Sequence, residues 1–89
     1  MCELLFTHRG DAGCWYEYYL LVEKPGAFRS GEEMFGVKLV SSDGERAAAA
    51  HLTASYEKII GVLTTLVRRG VTPRMLSDVI LELAVCGAF

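Results

Sequence analysis

Five residues in this chain are cysteines or histidines, the side chains of thiol nucleophiles, general bases and zinc sites: Cys2, Cys14, Cys86, His8 and His51. A structural zinc site draws its ligands from two closely spaced pairs. Here the five are scattered and no CxxC occurs, so no metal is expected. His8 and Cys14 flank the Gly10-Asp11-Ala12-Gly13 stretch. A thiol–imidazole pair would form there if they faced each other, at ~6 Å by ordinary cross-strand spacing. A cysteine nucleophile also needs a lowered pKa and an orienting third group. The sequence supplies neither that group nor an oxyanion hole.

The carboxylates give no better constellation. Glu32-Glu33 and Asp43/Glu45 fall at strand ends, where acids are solvated, whereas general acid–base work needs two carboxyls held across a pocket. The glycines are dispersed, with no GxGxxG and no phosphate-binding loop. No catalytic, metal or cofactor residue is assigned, and a non-enzyme is expected.

The arginines carry a second possibility. Arg68-Arg69-Gly70-Val71-Thr72-Pro73-Arg74 joins two helical segments through a short glycine-containing turn, as a helix-turn-helix does. Arg68, Arg69 and Arg74 could then touch phosphates. The second helix follows them with Asp78 and Glu82, which repel phosphate, and offers few base-reading side chains near its start. Weak nucleic-acid binding is therefore the alternative reading, and an antiparallel helix hairpin with basic residues at a C-terminus is the plainer one. The net charge of −2 has the wrong sign for a strong polyanion binder.

These residues must be positioned by one domain, since the chain has 89 residues. Cys2 to His8 alternates apolar residues at Cys2, Leu4 and Phe6. Trp15 to Glu23 is dense in aromatic and β-branched residues, a strand signal. Glu33 to Val40 places Phe35, Val37 and Leu39 on one side, after a loop from Lys24 to Gly31. Asp43-Gly44 is a preferred two-residue hairpin turn. It predicts a fourth strand with Leu39 facing Ala48, Val37 facing Ala50 and Phe35 facing Leu52. The rival reading starts a helix at Glu45, because Ser42-Asp43-Gly44-Glu45 also spells a capping box and alanine favours helix. Run to Arg69, that helix would be about 37 Å long, more than so small a domain covers, and the strand is carried forward.

Thr53 or Ser55 can cap a first helix, whose inward stripe is Tyr56, Ile59, Ile60, Leu63, Leu66 and Val67. Gly61 interrupts it, which suggests close approach to the sheet. Arg68 and Arg69 suit its last turn and Gly70 its left-handed end. Thr72 as cap and Pro73 as first residue open a second helix with a stripe of Leu76, Val79, Ile80 and Leu83. The tail to Phe89 is apolar enough to dock. The expected fold is α+β: a four-stranded antiparallel β-meander (1–52) followed by two C-terminal α-helices (53–89) packed on one sheet face.

Helices on one face leave the other open. If Tyr16, Tyr18, Leu20 and Val22 face inward, then Trp15, Glu17, Tyr19 and Leu21 face outward, joined by Met34, Gly36, Lys38 and Val40 and by Leu5 if its parity matches. Glu17 is expected to pair with Lys38. Apolar patches on small domains mark interfaces, and aromatics dominate their energetics. Trp15, Tyr19, Leu21 and Met34 are the expected contacts of an interaction module, either self-associating as a homodimer or bound to another protein through this face. A small-ligand binder, with a pocket holding His8 or His51, is the third reading.

Apolar residues make up 52% of the chain, yet no run approaches the roughly 18–20 residues of a membrane span. The start Met-Cys-Glu lacks the pattern of a signal peptide, and an odd, irregular cysteine set fits reduced thiols. A cytoplasmic protein is expected.

Four stretches carry a resemblance: Tyr18-Tyr19-Leu20, Phe35-Gly36-Val37-Lys38-Leu39, Leu52-Thr53-Ala54-Ser55, and Val71-Thr72-Pro73-Arg74-Met75-Leu76-Ser77-Asp78-Val79. Together they resemble a family of small bacterial proteins of unknown function from spore-forming clostridial relatives. The resemblance implies a bacterial cytoplasmic accessory or regulatory protein and transfers no site. The alanine run departs from the bulkier strand residues such a family leads one to expect.

Overall fold

The computed structural model describes residues 2–11, 13–23 and 33–89. Four strands come first: β1 (Cys2–Asp11), β2 (Cys14–Glu23), β3 (Met34–Ser41) and β4 (Arg46–Thr53). Then follow α1 (Tyr56–Arg69), a single 3-10 turn (Pro73–Met75) and α2 (Leu76–Val85). The strands form one antiparallel sheet in the order β1-β2-β3-β4. This is the expected α+β meander with two helices against the sheet. The loop expected over Lys24 to Gly31 lies outside the described residues.

Strand pairing fixes the faces, because directly opposed residues share a side of the sheet. On the helix side Leu4, Leu20, Val37 and Ala49 form one row, and Thr7, Tyr18, Leu39 and Ala47 the next. Phe6 is the extra residue of a bulge in β1, where the register slips between Leu5 and Thr7, and it packs against the core. The core joins Tyr18, Leu20, Val22, Val37 and Leu39 to Ile59, Val62, Leu63 and Leu66 of α1, to Val71, and to Leu76 and Val79 of α2.

The fourth strand exists, which excludes the long helix from Glu45, but its register differs by one step. Leu39 faces Ala47 and not Ala48; Val37 faces Ala49 and not Ala50. The loop holds three residues between Ser41 and Glu45: the Ser41 N–H donates to the Glu45 carbonyl at 2.8 Å and the Gly44 N–H to the Ser41 carbonyl at 3.0 Å. Gly44 sits at φ 95°, the left-handed residue of a three-residue hairpin with a bulge. An alanine run is apolar at both parities, so side-chain pattern alone could not detect the shift.

A second irregularity restores the phase. Between Phe35↔Thr53 and Val37↔Ala49, β4 carries two more residues than β3. Gly36 lies against this detour: a Cβ there would stand 2.3 Å from the Ala49 carbonyl oxygen and 2.8 Å from the Ala50 Cα. His51 turns the chain at φ 57°, rare for a residue with a side chain. Leu52 can then join Ala47 and Ala49 against the core.

Ser55 caps α1, its hydroxyl accepting the Lys58 N–H at 3.2 Å. Gly70 at φ 63° ends the helix, with the Gly70 N–H on the Val67 carbonyl at 3.1 Å and the Val71 N–H on Leu66 at 3.0 Å, a Schellman end. The inward stripe is Ile59, Val62, Leu63 and Leu66. Val62 replaces Tyr56, which is exposed and sets its ring edge against Phe35 at 5.8 Å. Gly61 is exposed, with nothing near the position of a Cβ, so close approach to the sheet does not explain it. Thr72 is extended and makes no side-chain cap; Pro73 opens a 3-10 turn instead, and α2 starts only at Leu76. At the far end Ala88 and Phe89 dock on the core.

Candidate functional site

β1 and β2 are each ten residues long, about 33 Å of strand. α1, with 14 residues, spans about 21 Å. The two-stranded ribbon therefore outruns its helical cover, and α2 packs over β4, away from β1. The edge position of β1 explains an exposed apolar residue on the helix side. Leu4 opposes the core residue Leu20, yet is 50% exposed. Its neighbour Leu5 points to the other face opposite Tyr19 and is 56% exposed.

The outer face has two parts. Its centre is a polar lattice over an apolar floor. Lys38 Nζ donates to both oxygens of Glu3 at 3.0 Å and lies 5.9 Å from the Tyr19 ring centroid. The Tyr19 hydroxyl donates to Glu17 Oε2 at 2.8 Å, and this acceptor pushes the phenol's pKa up. Glu17 thus pairs with Tyr19, and Lys38 with Glu3, in place of the expected Glu17–Lys38 pair. Leu21 is only 3% exposed and offers a partner almost nothing; Met34 is half-buried. Of the four expected contacts, Trp15 is the one with a large exposed surface, at 44%.

Trp15 belongs to the second part, a corner at the hairpin end. Gly10 opposes Trp15 and His8 opposes Glu17. These four residues line an open depression of about 390 Å³. The Trp15 backbone is held on both sides by Ser42, whose N–H donates to the Trp15 carbonyl at 2.8 Å and whose hydroxyl accepts the Trp15 N–H at 3.2 Å.

His8 and Cys14 do not meet. Cys14 has the parity of Tyr16, on the helix side, whereas His8 is on the outer face. The Cys14 sulfur instead accepts a hydrogen bond from the Ser42 hydroxyl at 3.3 Å and lies 3.8 Å from Ser41 Oγ. Hydroxyls of Ser42, Tyr16 and Ser41 hold the thiol below its ordinary pKa. His51 Nε2 meets Glu23 Oε2 in an ion-pair contact. No three His, Cys, Asp or Glu side chains converge on a metal-sized site among the described residues.

Two of the three candidate phosphate-binding arginines are engaged with carboxylates. Arg69 lies 3.4 Å from Glu82, and Arg74 lies 2.6 Å from Glu45 on the β-hairpin. Arg68 is exposed. Leu81 and Val85, on the outer side of α2, are 66% and 87% exposed, a patch the stripe of Leu76, Val79, Ile80 and Leu83 did not announce. The edge leucines did leave a signal: Leu4-Leu5 breaks the alternation of β1.

No helix among the described residues is long and apolar enough to cross a membrane. A family model described as "Family of unknown function (DUF6514)" matches residues 6–84. No curated protein and no solved structure matches the chain.

Proposed function

The chain belongs to this family of unknown function, so kinship supplies no activity, and we propose from its surfaces that it is a non-enzymatic interaction module that self-associates through the edge of β1. The observation that carries this is the pair Leu4 and Leu5, half-exposed on opposite faces of one edge strand. A partner lying on either face would cover one leucine and leave the other wet. A strand added to the edge covers both.

A second copy fits that requirement. A two-fold axis perpendicular to the sheet pairs β1 with its own copy antiparallel. It brings the Leu4 side chains together on the helix side and the Leu5 side chains together on the outer side, within an eight-stranded sheet. Such an interface is self-complementary by construction, and strand addition satisfies edge N–H and C=O groups that otherwise face water. The bulge at Phe6 confines straight pairing to the stretch that holds both leucines. Both leucines precede residues 6–84, so the proposal is made for this chain and not for its family. A role as a cytoplasmic bacterial accessory protein belongs to the same proposal and rests on the sequence resemblance.

Sedimentation equilibrium at about 100 µM chain, where micromolar interfaces are populated, should give a dimer. Leu4→Lys/Leu5→Lys should give a monomer with unchanged far-UV circular dichroism, while Trp15→Glu should stay dimeric. A monomeric wild-type chain overturns the proposal. A dimer that survives the leucine changes and is broken by Trp15→Glu moves the interface to the outer face.

A further inference from the structure

The corner depression is built for a different occupant. Its floor is Gly10, where a Cβ would meet nothing within 4 Å, and its wall is the Trp15 indole directly across the strand pair. Its charge is Glu17. One carboxylate oxygen is already taken by the Tyr19 hydroxyl at 2.8 Å, which fixes the group in place. Glu17 has no cationic partner among the described residues, because Lys38 is committed to Glu3 and Arg46 stands two strands away along the Glu17–Val40–Arg46 row.

The site therefore presents an aromatic face, an oriented carboxylate and an imidazole, over a floor cleared by a glycine. The negative face of an indole attracts cations. A fixed carboxylate prefers a ligand that is all donors, and among biological groups the guanidinium is flat, permanently charged and donor-only. An ammonium has no plane to stack. A phosphate or carboxylate would meet Glu17 with like charge.

We infer that the Trp15–Glu17 depression binds a guanidinium group, stacked on Trp15 above Gly10 and hydrogen-bonded to Glu17. Its source is either a free arginine-like small molecule or an arginine side chain on a partner protein. The site lies at the opposite end of β1 from Leu4 and Leu5, and its lining among the described residues falls within the family match, so it stands whether or not the chain dimerises.

Trp15 is the chain's only tryptophan, so its fluorescence reports the site directly. Titration with N-acetyl-arginine amide should give a saturable change at millimolar concentration or below. The neutral citrulline analogue and the lysine analogue should each bind at least roughly tenfold more weakly, as expected for losing the charge-assisted pair or the stacking plane. Glu17→Gln should weaken arginine binding by a similar factor. Gly10→Val, which fills the floor without altering charge, should abolish it, with circular dichroism confirming that both variants fold. Tighter binding of an arginine-containing peptide than of the amide identifies a protein source, and equal binding identifies a small molecule. No saturable change up to about 20 mM, equal binding of the citrulline analogue, or indifference to Glu17→Gln overturns the assignment.

Discussion

The Tyr18 hydroxyl donates a hydrogen bond to the Val71 carbonyl at 3.0 Å, fully inside the protein. It ties the middle of the sheet to the turn between the helices, across 53 positions of sequence. Removing the hydroxyl leaves a buried carbonyl without its partner. Tyr18→Phe should cost about 1–2 kcal/mol in urea unfolding with little change in fold.

The same phenol makes a prediction about pH. Burial raises the Tyr18 pKa above its ordinary value of 10.0. The folded state thus keeps this proton where the unfolded chain has lost it. Stability from this group is complete below pH 10 and falls as pH rises from there through the folded pKa. The alkaline loss of stability should be shallower in Tyr18→Phe, measured by denaturation midpoints across that range.

Gly61 and Gly70 should respond oppositely to one substitution. Gly61→Ala enters open space on an exposed helix face and should stabilise the protein by up to about 1 kcal/mol. Gly70→Ala meets a left-handed backbone at φ 63°, and its Cβ would fall 2.7 Å from Nη1 of Arg9. That guanidinium donates to the Val67 carbonyl at 2.8 Å. Loss of about 1 kcal/mol or more is expected from backbone strain, with further loss if Arg9 is displaced; thermal melts of both variants check the signs.

Gly36→Ala should be the most damaging of the glycine changes. The neighbour in its way is backbone, which cannot swing aside as a side chain can. Overpacking of this kind costs roughly 1–3 kcal/mol. Amide exchange should show the loss centred on β3 and β4.

Cys14 should be alkylated at lower pH than an ordinary thiol, because the Ser42, Tyr16 and Ser41 hydroxyls stabilise its thiolate. Ser42→Ala removes the first of these, and the midpoint of the Cys14 rate profile should move to higher pH. An unmoved midpoint would show that the Ser42 bond does not set the thiol's acidity.

The meander and both helices were legible because their signals are local. Parity in β2 and β3 named the inward residues Tyr18, Leu20, Val37 and Leu39, and capping chemistry at Ser55 and Gly70 named the ends of α1. What was not legible depends on lengths and on distant partners. The exposure of Leu4 follows from the place of β1 at the sheet edge, with α2 packed over the opposite edge at β4. The burial of Leu21 and the choice of Glu3 over Glu17 by Lys38 are tertiary outcomes. The depression at Trp15 needed the Gly10↔Trp15 register, which a bulge at Phe6 shifts by one residue.

The alanines of β4 have a kinetic corollary. Sliding the β3–β4 hairpin by one residue would place Ala48 and Ala50 where Ala47 and Ala49 now stand, at almost no loss of apolar contact. Discrimination must come from the ends of the strand: the Gly44 turn, the Gly36 gap and the His51 detour. A collapsed chain that closes this hairpin one notch out would hold a near-native, slowly corrected isomer. Refolding of the protein should therefore show a minor slow phase that disappears when Ala48 and Ala50 are made polar, because only then does a misaligned strand declare itself at once.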